Sequence, residues 1–453
     1  MANQLPSKIL DSVKIVEPFQ WFFKKVVGGS FPLFFAAMVA LIWANISATS
    51  YHSVWHTELS FALGTFHFSK SLLHWIDEAF MALFFFTVGL EIKREILVGE
   101  LASPKRALLP IAAALGGMVV PAGIYMSLNY GGPGARGWGI PMATDIAFSL
   151  AVLAVLRSKV PLGLRIFVSA FAIADDLGAV LVIALFYTQN IAWNYLFISM
   201  IFLIGLAVAN LLWIRQTLVY ALLGIGLWFT ILGSGVHATV AGVLVALFIP
   251  ARGKYDTDTF LKKIKTHLDR FECEPESCGY SILLNKGHLN AVHDIELAAH
   301  DVETPLQRLE HSLESWVAFV ILPLFALANS GLFLGEMDIS HAIVQPVALG
   351  VFLGLVLGKP LGISLFTALA CKILKAPLPT GVNWFHIIGA SILGGIGFTM
   401  SLFISGLSFS SPLYSDLSKL GIISGSLVSG LAGLILLSLG ANLNTNSFDP
   451  EDP

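Results

Sequence analysis

Two adjacent aspartates, Asp175 and Asp176, lie in the middle of an apolar stretch, Ile166 to Thr188, that is long enough to cross a membrane. An Asp at the bilayer centre costs about 2.5–3.5 kcal/mol even on the mildest insertion scale. Two side by side demand compensation, by a counter-charge or by a water-filled cavity. A third acid, Asp145, lies within the apolar run 139–156, and a lone Lys359 within the run 342–368. Three carboxylates and one amine at membrane depth point to a path for cations or protons. The bland alternative is a static buried ion pair with one Asp solvated at a helix end. Apolar residues continue for several turns on both sides of the aspartates, which argues against a helix end there.

Composition fits a polytopic membrane protein. Only 12% of the 453 residues are charged, about half the usual share of a soluble chain. The net charge of -3 and the lack of a basic stripe give no sign of nucleic acid as a partner. Polar sequence runs through Lys25, and no cleavage-type site follows the first apolar run, so that run is expected to act as its own signal. Three cysteines are too few for a disulfide framework.

Apolar runs near 31–49, 73–92, 107–128, 139–156, 162–188, 191–213, 217–233, 236–250, 315–334, 342–368, 384–407 and 417–440 predict an all-α protein of about twelve transmembrane helices. Lysines and arginines gather in alternate loops: Lys24 and Lys25, Lys93 and Arg94, Lys105 and Arg106, Arg157, Arg215, Arg252, Lys372 and Lys375. All of these fall on the side of the N-terminus, so the positive-inside rule places both ends in the cytoplasm. The expected organisation is spans 1–8 within 1–250, a cytoplasmic insert at 251–314, spans 9–12 within 315–440, and a cytoplasmic tail at 441–453. The external loop 50–70 alternates apolar and polar residues and reads equally as a short hairpin or as a plain connector.

Two spans carry backbone breakers. Pro141 precedes Asp145 by four residues, and the run 384–407 holds Gly389, Gly394, Gly395 and Gly397, then Thr399. Irregular backbone at membrane depth is tolerated only where it is buried in protein or lines a cavity. Close helix packing would explain the glycines alone, but not Pro141 beside an intramembrane Asp. The fourth and eleventh spans are each the middle of a three-span group, 3–5 and 10–12. Those groups start on opposite sides of the membrane, so a repeat relating them would be inverted, with broken helices crossing at the midplane. Helix ends carry about half a charge each. Asp145 could neutralise a pair of positive ends and Lys359 a pair of negative ones. Neighbours on a helix point about 100° apart, so one of Asp175 and Asp176 can face a cavity while the other meets Lys359, the only lysine deep in a span. Pro360 follows it and should kink or open that helix.

The segments ATDIAFSL (143–150), AIADDLGAVLVIALFYT (172–188), SGVHATVAGVLVALFIP (234–250), GKPLGIS (358–364) and GIGFTMSLFI (395–404) resemble the NhaA family of Na⁺/H⁺ antiporters, from about residue 20 to 440. The resemblance implies a secondary active transporter in a bacterial-type inner membrane. It would exchange cytoplasmic Na⁺ or Li⁺ for external protons, electrogenically and under pH control, with no cofactor beyond the transported ions. The lipid bilayer is its other partner, and a homodimer is an assembly left open. By position, Asp176 matches the principal Na⁺-binding carboxylate, Asp175 the partner of Lys359, and Thr144 with Asp145 the extended crossing. Glu91, Arg94, Glu95, Glu310 and His311 match a pH-sensing funnel, and His237 a histidine linked to pH response. The chain departs at Glu314, where the best-known members carry a second histidine, and in the length of its insert. The exchange would follow from one carboxylate serving two ligands. A carboxylate can hold a proton or Na⁺, and hydration from one side or the other decides which. If Na⁺ breaks the Asp175–Lys359 pair, Lys359 can release a second proton.

Within the insert, Cys273 and Cys278 are five apart, as are His288 and His293. A zinc site is conceivable, but the spacing is loose and an unliganded helical insert is the default. Two rival functions remain: a Na⁺-coupled symporter of an organic solute on a similar repeat, and an intramembrane aspartyl protease using Asp145 and Asp176. The protease would need Gly-x-Gly-Asp and Pro-Ala-Leu motifs, and the chain has neither.

Overall fold

The computed structural model of the protein describes residues 28–63, 66–156, 160–188, 191–253, 255, 257–269, 286–335 and 338–444. Among them, nine helices are long and apolar enough to cross a membrane, and the bent pair Trp384–Leu393 and Phe398–Ser408 makes a tenth. The other two of the twelve apolar runs are helical as well. One, Thr239–Phe248, has only 10 residues. The other, over 72–98, carries Asp77, Glu78, Glu91, Lys93, Arg94 and Glu95. Length and composition alone therefore do not mark these two as spans.

Helices dominate because a bilayer offers no water to backbone N–H and C=O groups, so each segment must satisfy its own. Apolar side chains face outward as well as inward: Leu185 is 73% exposed and Ile201 67%. The helix Leu162–Phe186, which carries both aspartates, is the most enclosed of those nine. Some 61% of its most apolar window is buried, against 17% for the peripheral helix Trp193–Leu211.

Two helices that frame this centre touch backbone to backbone. A Cβ on Gly116 in Pro104–Asn129 would lie 2.1 Å from the carbonyl oxygen of Gly362 in Lys359–Ile373, and the reverse contact is also 2.1 Å. Only glycine permits that approach at both positions. Gly116→Val is therefore expected to lower the melting temperature in detergent, by overpacking that costs about 1–3 kcal/mol. Gly123→Ala, with nothing within 4 Å of its added Cβ, is the control. Equal melting of the two variants would refute the close crossing.

Among the described residues, three π-helical turns interrupt the long helices, at Ile76–Phe80, Val317–Ile321 and Gly354–Gly358. Such turns concentrate at functional sites. The first contains Asp77 and Glu78, the second follows Glu314, and the third runs directly into Lys359. Pro360 has no N–H to give the helix, and the wide turn before it is where the ladder loosens, as its sequence position suggested.

The loop at 50–70 forms the hairpin rather than a plain connector. Strands Glu58–Leu63 and Phe66–Ser71 pair antiparallel in the register Glu58↔Ser71 to Leu63↔Phe66. The insert contributes helices Thr257–Leu268 and Lys286–Val302. His267 of the first lies 3.4 Å from Asp294 of the second. Cys273 and Cys278 lie outside the described residues. The helix of the ninth apolar run begins earlier than its hydropathy suggests, at Pro305. Thr304 caps it, its hydroxyl accepting from the N–H of Gln307 at 3.1 Å. Hydropathy misses these first ten residues, nearly three turns, because Gln307, Arg308, Glu310 and His311 are polar while the helix itself is continuous.

Candidate functional site

The two broken segments cross at their breaks. The first runs as a 3₁₀ helix Ala135–Met142, goes extended at Ala143 and Asp145, and resumes as Ile146–Val155. The second breaks over 394–397, where its halves bend by 45°. A Cβ on Gly395 would stand 2.4 Å from the carbonyl oxygen of Leu355, so that break needs glycine. Backbone groups freed by each break are satisfied by the other. The Asp145 N–H donates to Ile396 O at 2.6 Å, and the Thr144 hydroxyl donates to Gly394 O at 3.0 Å. The Ser149 hydroxyl donates to Leu393 O at 3.1 Å, and the Ser401 hydroxyl to Ile140 O at 2.8 Å.

Charges sit where the helix ends require them. Asp145 is 2% exposed. Its Oδ1 accepts from Phe148 N–H at 3.2 Å, and its Oδ2 accepts from the N–H of Thr399 at 3.0 Å and from that residue's hydroxyl. One carboxylate thus caps the N-termini of both second halves, the positive ends of their dipoles. Lys359 is fully buried. Its Nζ donates at 2.8 Å to Asp175 Oδ2 and at 2.8 Å to Thr144 Oγ1. Because the Thr144 hydroxyl in turn donates its hydrogen bond to Gly394 O, the ammonium reaches the negative end of Trp384–Leu393 through one hydroxyl.

Asp176 is different. It is 1% exposed, and neither carboxylate oxygen has a hydrogen-bond partner among the described residues. It lines a cavity of about 80 Å³ together with Thr87, Glu91, Asp145, Glu314 and Thr399. That volume holds a few water molecules, since one needs about 10–15 Å³ by this measure. Among the described residues no three His, Cys, Asp or Glu side chains form a ready metal cage. The arrangement is an unpaired carboxylate on a small cavity, one helical step from a buried ion pair.

Over residues 20–437 the sequence matches the family described as Na⁺/H⁺ antiporter 1. The chain belongs to this family of Na⁺/H⁺ antiporters. Similar proteins named Na(+)/H(+) antiporter NhaA occur in Oleidesulfovibrio alaskensis, Koribacter versatilis and Helicobacter pylori. The first is 45% identical over 425 residues, 94% of each chain. The second is 46% identical over 446 residues, covering 97% of this chain and 95% of its own. The third is 46% identical over 415 residues, covering 90% and 92%. The antiporter family is one of transporters rather than enzymes, so the protease reading falls away.

In this antiporter the sequence-derived residues divide into three places. Asp145, Thr144, Asp175, Asp176 and Lys359 gather at the crossing. Arg94 and Glu310 form an ion pair where their helices meet, and Glu91 lines the cavity. Glu95 turns to its own helix end, where its Oε1 accepts from Glu100 N–H at 2.8 Å, and His311 is exposed. His237 is not part of that group. The helix Thr239–Phe248 packs parallel to Met81–Val98, with Ala82 against Gly242 at one end and Lys93 bonded to the carbonyls of Leu247 and Ile249 at the other. His237 therefore stands near Glu78, 3.8 Å away, with its Nε2 3.1 Å from Tyr187 O. Sixteen residues of helix, about 24 Å, separate Glu78 from Arg94. Sequence reading passed over Ser149, Ser401 and Glu78, and noted Thr399 without giving it a partner. Their signal was a hydroxyl or carboxyl placed just beside a helix break.

Proposed function

We propose that this antiporter takes Na⁺, or Li⁺, from the cytoplasm in exchange for protons moving inward, with Asp176 as the carboxylate that carries one or the other. The observation that carries this reading is the lack of any partner among the described residues for the two Asp176 oxygens, which lie on a cavity beside the Asp175–Lys359 pair. A buried carboxylate without a donor needs a cation or a proton. A hard oxygen ligand suits either small alkali ion. When Na⁺ sits at Asp176 and draws on Asp175, Lys359 loses its counter-charge and can give up a second proton. Two protons against one Na⁺ moves net charge.

The orientation belongs to the same proposal: both termini, the insert 251–314 and the tail 441–453 lie in the cytoplasm of a bacterial-type inner membrane, around twelve crossings. Inverted repeats are favoured by a reciprocity at the breaks. Ser149 follows Asp145 by four residues and Ser401 follows Gly397 by four, and each bonds the end of the other segment's first half. The symporter alternative asks for a pocket of about 300–1,000 Å³ for an organic solute. The cavity at Asp176 is far smaller. In everted vesicles acidified inside, added Na⁺ or Li⁺ should raise internal pH with no organic substrate present. Dependence on such a substrate would refute the exchange reading.

The pH response is assigned to the Glu91, Arg94, Glu95, Glu310 and His311 group at the cytoplasmic end of its helices. Exposed His311 changes charge between about pH 5 and 8, beside carboxylates that share one guanidinium. Replacing Glu310 and His311 by Gln should move the pH profile of exchange along its axis with the maximal rate kept. Loss of rate at every pH, or a profile that does not move, would assign the group to structure alone.

A further inference from the structure

We infer that Ser426 is a positioning residue of the cation site. From a third helix it holds the N-terminus of Phe398–Ser408, so that Asp145 and Asp176 keep their negative charge for the transported ion. The inference rests on the reading of Asp176 as the exchange site.

The half-helix Phe398–Ser408 cannot cap itself. Its cap position is Gly397, and a Cβ there would lie 2.2 Å from Ser401 Oγ and 3.0 Å from Ala143 O. The serine, threonine, asparagine or aspartate that usually caps a helix is therefore shut out, and the acceptors come from elsewhere. Ser426, in the helix Pro412–Asn444, is buried. Its Oγ accepts from the N–H groups of Gly397 and Phe398, each at 3.2 Å. Asp145 accepts from the next N–H, that of Thr399, while it also caps Ile146–Val155. One carboxylate suffices for two helix ends because the serine holds two further N–H groups of one of them.

The same helix end borders the cation cavity. Thr399 and Met400 line it beside Asp145 and Asp176, and Asp176 is 1% exposed with no partner for its oxygens among the described residues. A helix N-terminus carries about half a positive charge, concentrated on its unpaired N–H groups. Without Ser426, the Gly397 and Phe398 N–H groups lose their acceptor, and that positive charge acts against a cation at Asp176. Ser426 touches no transported ion; it acts through the helix end and Asp145. Its signature is thus in apparent affinity for Na⁺ rather than in maximal rate. One turn further along the same helix, Ser429 supplies the comparison. It is fully buried, and its Oγ stands 2.5 Å from where a Cβ on Gly395 would be, beside the same break. Yet that hydroxyl bonds to none of the described residues.

The test is Na⁺ titration of exchange by the full-length protein in proteoliposomes, at the pH of fastest exchange. Ser426→Ala is expected to raise the KM for Na⁺ by about five- to thirtyfold, the reach of a partly buried helix end, with the rate recovered at saturating Na⁺. Ser426→Thr keeps the hydroxyl and should hold KM near that of the unmodified protein. Ser429→Ala removes the same atom from the same helix without breaking a bond, and should leave KM in place. An unchanged KM in Ser426→Ala, a lower maximal rate at unchanged KM, a KM as high in Ser426→Thr, or an equal rise in Ser429→Ala would each overturn the role of Ser426. If Ser426→Ala fails to fold, Ser426→Cys, which offers only a weak acceptor, should show the same rise in KM, and an unchanged KM there would overturn the role equally. Should the unmodified protein show no Na⁺-dependent exchange, or Asp176→Asn exchange as well as it does, the reading of Asp176 itself fails, which separates that failure from failure of the serine's role.

Discussion

Asp176→Asn is expected to abolish exchange while leaving the protein folded and inserted. The amide keeps the side chain's shape but cannot titrate, and it brings no net charge to Na⁺. Because neither oxygen of Asp176 bonds to a described residue, the change removes no internal hydrogen bond. Melting in detergent should stay near that of the unmodified protein, in contrast to variants of the neighbouring ion pair. The check is Na⁺-induced alkalinisation of everted vesicles, with the melting curve measured beside it. Robust alkalinisation by the Asn variant would remove Asp176 from the mechanism.

The second large effect falls on stability. Lys359→Ala leaves Asp175 buried without its partner and frees the Thr144 hydroxyl from its donor. Breaking one side of a buried pair costs about 3–5 kcal/mol, because an uncompensated charge remains. Asp175→Asn combined with Lys359→Gln replaces the pair by two neutral groups that can still bond. That double variant should melt well above Lys359→Ala, although neither exchanges normally. Additive losses at the two positions, measured by a double-mutant cycle in detergent, would contradict the pairing.

The charges were the legible part of this site. A lone lysine and two adjacent aspartates in apolar sequence leave few arrangements: burial cost pairs one of the aspartates with Lys359, and the family resemblance is what singles out Asp175. Asp145 was legible in part, since Pro141 and the glycines at 394–397 announce breaks and a break exposes helix dipoles. What the sequence does not encode locally is which group meets which. Thr144 joining Lys359 to Gly394, Thr399 closing on Asp145, and the serine bonds across the breaks all depend on two segments some 250 residues apart in the chain. Hydropathy located twelve apolar runs, and helices stand at all of them, but it misjudged ends. The helix from Pro305 opens with polar turns, and Thr239–Phe248 is shorter than the run 236–250 that contains it. The separation of His237 from Glu310 arises from parallel packing of two helices through Gly89 and Gly242, contacts that no local pattern reports.

The central claim is that Na⁺ and H⁺ contend for one carboxylate, Asp176. Its most direct test is the apparent KM for Na⁺ in proteoliposomes across a pH series, with the maximal rate followed at each point. Competition predicts that KM rises as pH falls, approaching tenfold per pH unit for each proton displaced, while saturating Na⁺ restores the rate even at the acid end. A KM that stays constant while the maximal rate alone follows pH would show that protons act elsewhere, and would contradict the account.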